Sequence, residues 1–129
     1  MGKTDRYIVP GQVTGEVIYH DMARAMKEIG PNYDYMDSAW VPEADIHLAV
    51  RHVEQVPPDF KSYIDPHTHP VNQVYGISPG LTCEVILEGE KHEVTGPAGV
   101  FIPAGMMHTL WPRRGKGYFV VVTSGGEYV

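Results

Sequence analysis

The stretch His67-Thr68-His69-Pro70-Val71-Asn72-Gln73, with Pro103-Ala104-Gly105-Met106-Met107-His108 further along, carries the strongest signal in this chain. Residues i and i+2 of an extended strand point to the same face, so His67 and His69 project together. Gln73 keeps the same even spacing if the strand runs on past Pro70, and His108 must arrive from a distant strand. Three imidazoles and one amide oxygen can hold a divalent transition metal and leave coordination positions open. We therefore predict a metal site at His67, His69, Gln73 and His108.

These residues resemble the two sequence motifs of the cupin superfamily. The first motif, H-x-H followed by an acid or amide and then Gly, matches at His67, His69, Gln73 and Gly80, and the second, P-x-G-x-x-H, matches at Pro103, Gly105 and His108. The resemblance covers residues 61–123. Lys61 replaces the opening Gly of the first motif and Pro112 the closing Asn of the second, both at turns. Gln73 stands where the family most often has Glu.

The resemblance implies a small single-domain metal-binding cupin. Its expected fold is all-β, a double-stranded antiparallel β-helix (the jelly-roll barrel), here with a short N-terminal helix. The composition independently favours short strands joined by turns, with 14 Gly and 11 Pro among Val-, Ile- and Tyr-containing runs. Small cupins usually associate, so the resemblance also implies a homodimer.

The secondary structure is predicted from periodicity and turn residues. Asp21 can cap a helix over 21–29 that Gly30-Pro31 ends. Residues 31–42 have the composition of a packed loop or lid. Residues 1–45 are predicted as an N-terminal extension packed on a barrel of residues 46–129. Strands are predicted at 16–20, 46–53, 63–69, 73–77, 82–87, 92–94, 99–102, 108–111 and 118–123.

Charge and composition exclude some partners. Lys and Arg total 10 against 16 Asp and Glu, a formal net charge of −6, and no basic stripe is visible, so nucleic acid is not an expected partner. No apolar run approaches the ~20 residues of a membrane helix, so no membrane partner is expected. The single Cys83 cannot form an internal disulfide and no charged-then-apolar leader opens the sequence, which predicts a cytoplasmic protein.

The other histidines compete for the ligand roles. His20 follows a predicted strand and is expected at the surface, and His92 lies in a charged hairpin and is expected to be solvated. His47 and His52 fall on opposite faces of the strand 46–53, with His47 opposite the apolar face of that strand. At most one of them faces inward, where a core role or support of a ligand is expected in preference to ligation.

The donor set predicts the chemistry of the site. Three neutral imidazoles and a neutral amide leave the charge of a divalent ion uncompensated, so the site should attract anions and acidify bound water. Two adjacent open positions would accept a bidentate hydroxy-acid, keto-acid or enediol. Arg51 is a candidate second anchor for a substrate carboxylate. The sequence does not decide the identity of the metal, because nickel, iron, manganese, zinc and copper all accept imidazole ligands.

Other residues are candidates for binding and proton transfer. Tyr75 and Asp65 lie two residues from Gln73 and His67 respectively, and both are candidate catalytic residues. Asp65 precedes Pro66, so capping a turn is an alternative role. Met106 and Trp111 are candidates for the apolar wall of a substrate pocket.

Several functions fit these predictions. The first is a metal-dependent enzyme that acts on a small anionic, oxygen-rich metabolite by isomerisation, lyase or ring-opening chemistry. An iron-dependent dioxygenase is the main alternative within enzymes, since such cupins also use three histidines. A non-catalytic cupin that binds a small ligand is the alternative of another class, and a barrel without a metal is a further one.

Overall fold

The computed structural model describes residues 2–125. Within them, the chain forms nine strands, one α-helix and a single 3₁₀ turn at Asp5–Tyr7. No helix in this part of the chain is both long and apolar enough to cross a membrane. In chain order the elements are β1 (Gln12–Val13), α1 (Met22–Glu28), β2 (Asn32–Met36), β3 (Ile46–Val53), β4 (Gln73–Ile77), β5 (Leu81–Leu87), β6 (Glu90–Thr95), β7 (Ala98–Ile102), β8 (His108–Gly115) and β9 (Gly117–Ser124).

The strands form two antiparallel sheets. The larger sheet has the order β1-β2-β3-β9-β4-β7 and the smaller has the order β6-β5-β8. Side chains of both sheets meet in one apolar core, which includes Tyr75 and Phe119 from the larger sheet and Val85 and Leu110 from the smaller. The predicted all-β jelly-roll architecture with a short helix is confirmed. Cys83 lies in this core, and burial raises the pKa of its thiol to about 12, so it is an unreactive packing residue.

The helix forms as its sequence predicts. The side chain of Asp21 accepts a hydrogen bond from the backbone N–H of Arg24 at 3.1 Å, which caps the first turn. Ala25 and Ile29 are buried in the core. Gly30 ends the helix at a φ of 144°, where a side chain would also collide with the backbone of β3.

The N-terminal segment is built into the larger sheet. Tyr33 of β2 pairs with Val50 of β3, so the prediction of a loop or lid is wrong for Asn32–Met36. The predicted strand 16–20 is a turn in which Val17 and His20 form an isolated bridge. Of the predicted barrel 46–129, residues 126–129 lie outside the described part of the chain.

The segment that carries the H-x-H sequence is extended without being a full strand. The predicted strand 63–69 makes two isolated bridges, Ile64 with His20 and His67 with His108. Pro66 and Pro70 have no backbone N–H, which limits further pairing. The alternation of side chains survives, because His67 and His69 are buried while Thr68 between them is exposed.

Candidate metal centre and adjoining cavity

Three histidines converge at one end of the smaller sheet. His67 and His108 exchange two backbone hydrogen bonds, of 3.2 and 3.0 Å, so the bridged segment is held against the start of β8. The Nε2 atoms of His67 and His69 lie 3.0 Å apart. One ligand atom of each of the three side chains lies within 4.8 Å of the others, and all three side chains are buried. The predicted histidine set is therefore brought together with the geometry of a metal site.

Backbone carbonyls fix the tautomers of two of these rings. The Nδ1 atom of His67 donates to the carbonyl of Asp65 at 2.7 Å, and that of His108 donates to the carbonyl of Met106 at 2.9 Å. A carbonyl can only accept, so each Nδ1 carries the proton and each Nε2 keeps its lone pair. The buried Nε2 of His108 has no hydrogen-bond partner among residues 2–125. This is the arrangement that metal-ligating histidines have.

The electrostatics also favour neutral imidazoles. Burial lowers the pKa of His108 to about 4; the Met106 carbonyl opposes this shift, and His67 and His69 add to it. At neutral pH His108 is therefore uncharged, as a metal ligand must be.

Gln73 begins β4 and is fully buried. Its Nε2 donates to the hydroxyl of Tyr75 at 3.3 Å. Its Oε1, the atom with which an amide binds a metal, has no partner within the described residues. Leaving a buried acceptor unpaired is costly, so this oxygen fits a bound cation. The donor set of three imidazoles and one amide oxygen fits a divalent transition metal.

Two residues beside the histidines were not expected there. Tyr19 stacks on His67 with ring centroids 5.4 Å apart, and the ring of His20 packs edge-on against His67 at 5.1 Å. Burial, with smaller contributions from His67 and His69, lowers the pKa of His20 to about 4, although the Ile18 carbonyl raises it. His20 is predicted at the surface, and its side chain is partly buried against His67. It reaches the site through its bridge to Ile64, and no sequence spacing signals that contact.

A cavity of about 500 Å³ lies beside the site, although none of His67, His69 and His108 lines it. His20 and Tyr75 lie in its wall, so it reaches the neighbours of the candidate metal ligands. The remaining lining residues come mainly from the inner face of the larger sheet and from the segment that follows β1. They include Thr14, Val17, Asn32, Asp34, Asp37, His47, Ala49, Arg51, Tyr63, Phe119 and Val121.

Arg51 is the buried cation of this cavity. It is 2% exposed, its Nη1 donates to the carbonyl of Gly30 at 2.7 Å, and its guanidinium lies 5.3 Å from the ring of Tyr63. Its Nε has no hydrogen-bond partner, and no carboxylate within residues 2–125 forms a salt bridge with it. A buried charge without a counter-charge is strongly unfavourable. Arg51 is thus positioned to meet an anion in the cavity.

A charged cluster also lines the cavity. Nε2 of His47 lies 3.5 Å from Oδ1 of Asp34, and its Nδ1 lies 3.1 Å from Oδ2 of Asp37. In β3 the buried, cavity-lining face is that of His47, Ala49 and Arg51, whereas Ile46 on the predicted apolar face is half exposed. The pattern of β3 predicts that at most one of His47 and His52 faces inward, and His47 is the one that lines the cavity.

The remaining predicted site residues lie outside the cavity wall. Asp65 is exposed and reaches the site through its backbone carbonyl, as does Met106. Trp111 lies beside Phe60 and Arg113 in a second cavity. It stands three residues after His108 on β8, and an odd step along a strand places a side chain on the opposite face of the sheet. Of the predicted binding and catalytic residues, Arg51 and Tyr75 line the main cavity.

Comparison with known proteins gives matches in structure alone. No protein-family model matches the sequence, and no curated protein matches it. The chain is similar to KdgF from Halomonas sp., with 17% identity and a TM-score of 0.56 over 75% of this chain and 79% of that one. It is also similar to an RmlC-like cupin from Shewanella frigidimarina, with 15% identity and a TM-score of 0.50 over 74% and 75% of the two chains.

A third similar structure is an oxalate decarboxylase, OxdC, from Bacillus subtilis. The identity is 12% and the TM-score 0.58, over 79% of this chain and 27% of the longer decarboxylase chain. The two antiparallel sheets, the histidine cluster and these matches agree. The chain has the cupin fold.

Proposed function

We propose that this protein is a metal-dependent cupin enzyme that acts on a small anionic, oxygen-rich metabolite by isomerisation, lyase or ring-opening chemistry. The observation that carries the proposal is the pairing of a three-histidine cluster with a cavity that contains a buried, uncompensated Arg51. A metal held by neutral ligands and a guanidinium both attract anions. A purely structural barrel would gain nothing from a buried charge without a partner.

His67, His69, Gln73 and His108 would hold one divalent transition metal ion, which when bound supplies Lewis-acid polarisation of a substrate oxygen. In this proposal Arg51 binds and orients the substrate carboxylate. His67 and His108 stay neutral and correctly oriented because the carbonyls of Asp65 and Met106 hold their Nδ1 protons.

Tyr75 is the proposed proton-transfer residue. Its hydroxyl accepts a hydrogen bond from Gln73, and its side chain lines the cavity, so it lies between the metal ligands and the substrate space. A phenol can give its proton to a substrate oxygen or carbon and recover it later. The exposed side chain of Asp65 makes it the weaker candidate for this role.

The experiment is a reaction screen followed by NMR. Protein loaded separately with nickel, iron, manganese, zinc or copper is incubated with a panel of hydroxy acids, keto acids and unsaturated acids. We expect one class to be converted by wild type and not by His67→Ala or Tyr75→Phe, with Arg114→Gln as an active control because Arg114 is exposed on the smaller sheet.

Two outcomes separate the alternatives. Oxygen consumption coupled to turnover with iron would replace the proposal with a dioxygenase. Tight, metal-dependent binding of an acid that remains unchanged would replace it with a non-catalytic binding protein. If no acid in the panel bound to wild type, the proposal that the substrate is an anion would be contradicted.

We further propose that the protein is a homodimer formed through the outer face of the larger sheet. An apolar row crosses four paired strands of this face and consists of Phe101, Val74, Val122 and Leu48. Phe101 is 59% exposed and Val74 is 42% exposed. Such a flat apolar surface can pair with its own copy about a two-fold axis.

Light scattering coupled to gel filtration tests the dimer. We expect wild type at twice the 14.4 kDa chain mass and Phe101→Glu at the chain mass, with Lys91→Glu on the smaller sheet as the control. A monomeric wild type at micromolar concentration would overturn the dimer. The cytoplasmic location stays a prediction.

A further inference from the structure

The cluster of Asp34, Asp37 and His47 has no part in the chemistry proposed so far. It lines the cavity, with the His47 side chain 5% exposed and each carboxylate side chain 22% exposed. The two carboxylates are therefore accessible from the cavity, whereas the imidazole is almost entirely covered.

The cluster carries net negative charge. Burial alone would lower the pKa of His47, but hydrogen bonds and charge from Asp34 and then Asp37 outweigh it and raise the pKa. Both ring nitrogens face carboxylates, and Nδ1 is hydrogen-bonded to Asp37, which favours the imidazolium form of His47. One cation against two carboxylates leaves one uncompensated negative charge.

A hydrogen-bond network holds the cluster in place. Asn32 donates to the hydroxyl of Thr14 at 2.7 Å, and Thr14 donates to Asp34 at 3.0 Å. The backbone N–H of Ala39 donates to Asp37 at 2.8 Å. Both carboxylates are thus anchored before any ligand arrives, as a preorganised binding site requires.

Arg51 provides the opposite charge at a defined distance along the same strand. His47 and Arg51 both face the cavity and are four residues apart on β3, which corresponds to about 13 Å at ~3.3 Å per residue. The guanidinium is buried, and its Nε lacks a partner. The cavity wall therefore presents a buried cation and, four residues away on the same strand, a cluster that carries negative charge.

We propose a bipolar substrate, an inference that rests on the proposed function. Its carboxylate binds Arg51, and a positively charged nitrogen at its other end binds Asp34 and Asp37. A charged amine fits this end better than a hydroxyl because it compensates the residual negative charge of the cluster as well as donating hydrogen bonds. The substrate class is thus an amino or guanidino acid whose charged nitrogen is separated from the carboxylate by several bonds.

The test compares three probes of equal length, 6-aminohexanoate, 6-hydroxyhexanoate and hexanoate, together with their shorter and longer homologues. Affinities are measured by calorimetry at about pH 6, below the ordinary histidine pKa of ~6.5, where the charged form of His47 is favoured. Zinc-loaded and metal-free proteins are both measured. We expect the best amino acid to bind at least about tenfold more tightly than its hydroxy and alkyl counterparts, as one partly desolvated charge pair supplies.

Two variants must change this preference in opposite directions. Asp34→Asn removes a negative charge and should reduce the preference for the amine to about twofold or less, whereas His47→Gln removes the positive charge and should increase it. Misfolding cannot produce shifts of opposite sign. Equal affinities for the amine and the hydroxyl at every length would overturn the bipolar substrate while leaving Arg51-dependent carboxylate binding intact. Loss of carboxylate binding altogether would instead contradict the proposed function.

Discussion

The two sheets of this barrel have inner faces of opposite character. The smaller sheet contributes Cys83, Val85 and Leu110 to a closed apolar core. The larger sheet lines the cavity with His47, Arg51 and Tyr75 from its inner face, and its outer face bears the exposed Phe101. The smaller sheet is therefore a packing wall, whereas the larger sheet, although Ile77, Ile102 and Phe119 also join the core, is the binding wall that lines the cavity.

This difference separates stability from function within one small domain. Truncating an apolar side chain of the smaller sheet leaves a cavity that costs stability. Removing a charged side chain from the larger sheet instead relieves the cost of burying it, and the effect should fall on ligands. The histidine cluster lies where the two walls meet, so it depends on both.

The largest expected effect is at that junction. His67→Ala should abolish metal binding, because it removes one of the three imidazole lone pairs while leaving the backbone bonds to His108 in place. At metal concentrations ~100 times the dissociation constant, the metal should stabilise wild type by ~2.7 kcal/mol and the variant not at all. Mass spectrometric metal analysis and thermal unfolding with and without metal measure this.

His92→Ala is the matched control, since His92 is exposed on β6. It should retain full metal content and the full metal-dependent rise in melting temperature. If His67→Ala kept near-stoichiometric metal, the candidate centre would be in the wrong place.

The next effect is confined to the packing wall. Leu81 is fully buried at the far end of β5 from His108, and Leu81→Ala should lower the free energy of unfolding by about 2–5 kcal/mol. Metal content of the folded variant should not change. Denaturant unfolding measures the first quantity, with Lys91→Ala as an exposed control. Loss of metal at full stability would contradict the division between the two walls.

The packing wall and the histidine cluster are the parts that sequence could predict. Strands such as Gln73–Ile77 are bounded by turn residues, and the period of two places His67 and His69 on one face wherever the chain is extended. Both signals depend on neighbours in the chain. They survive even though the H-x-H segment makes two bridges and no full ladder.

The binding wall could not be predicted from sequence for two reasons. Its contacts join residues that are distant in the chain, and the apolar alternation of β3 marks the outer face of the sheet. Asp34 and His47 meet only because β2 pairs with β3, and His20 meets His67 only through the turn around Tyr19, whose φ is 67°. Alternation of apolar residues on β3 favours the face of Ile46, but in this sheet that face is the outer one. Hydrophobic alternation fails where a cavity replaces the core.

A smaller effect on stability should accompany a large effect on binding at Arg51. Arg51→Gln removes a buried charge but also its hydrogen bond to Gly30, so the free energy of unfolding should change by less than about 1.5 kcal/mol. Affinity for small carboxylates should fall by about 10- to 100-fold, since a charged hydrogen bond contributes ~1.5–3 kcal/mol. Arg114→Gln, on the smaller sheet, should change neither quantity. A destabilisation above about 3 kcal/mol with unchanged affinity would make Arg51 a packing residue.

The smallest effect is a pH dependence that belongs to the binding wall alone. Asp34 and Asp37 raise the pKa of His47 above its ordinary 6.5, so the folded state binds this proton more tightly than the unfolded state. The resulting stabilisation is complete below pH 6.5 and is lost as the pH rises through the raised pKa.

Metal-free wild type should therefore lose no more than about 1 kcal/mol of unfolding free energy between pH 6.5 and pH 8.5 through this group, because both carboxylates are partly solvated. His47→Gln should remove that loss, whereas His92→Gln should leave it unchanged. Denaturant unfolding at a series of pH values measures the difference. The unfolding free energies of wild type and His47→Gln could instead show the same pH dependence. That result would contradict a protonated His47 held between the two carboxylates.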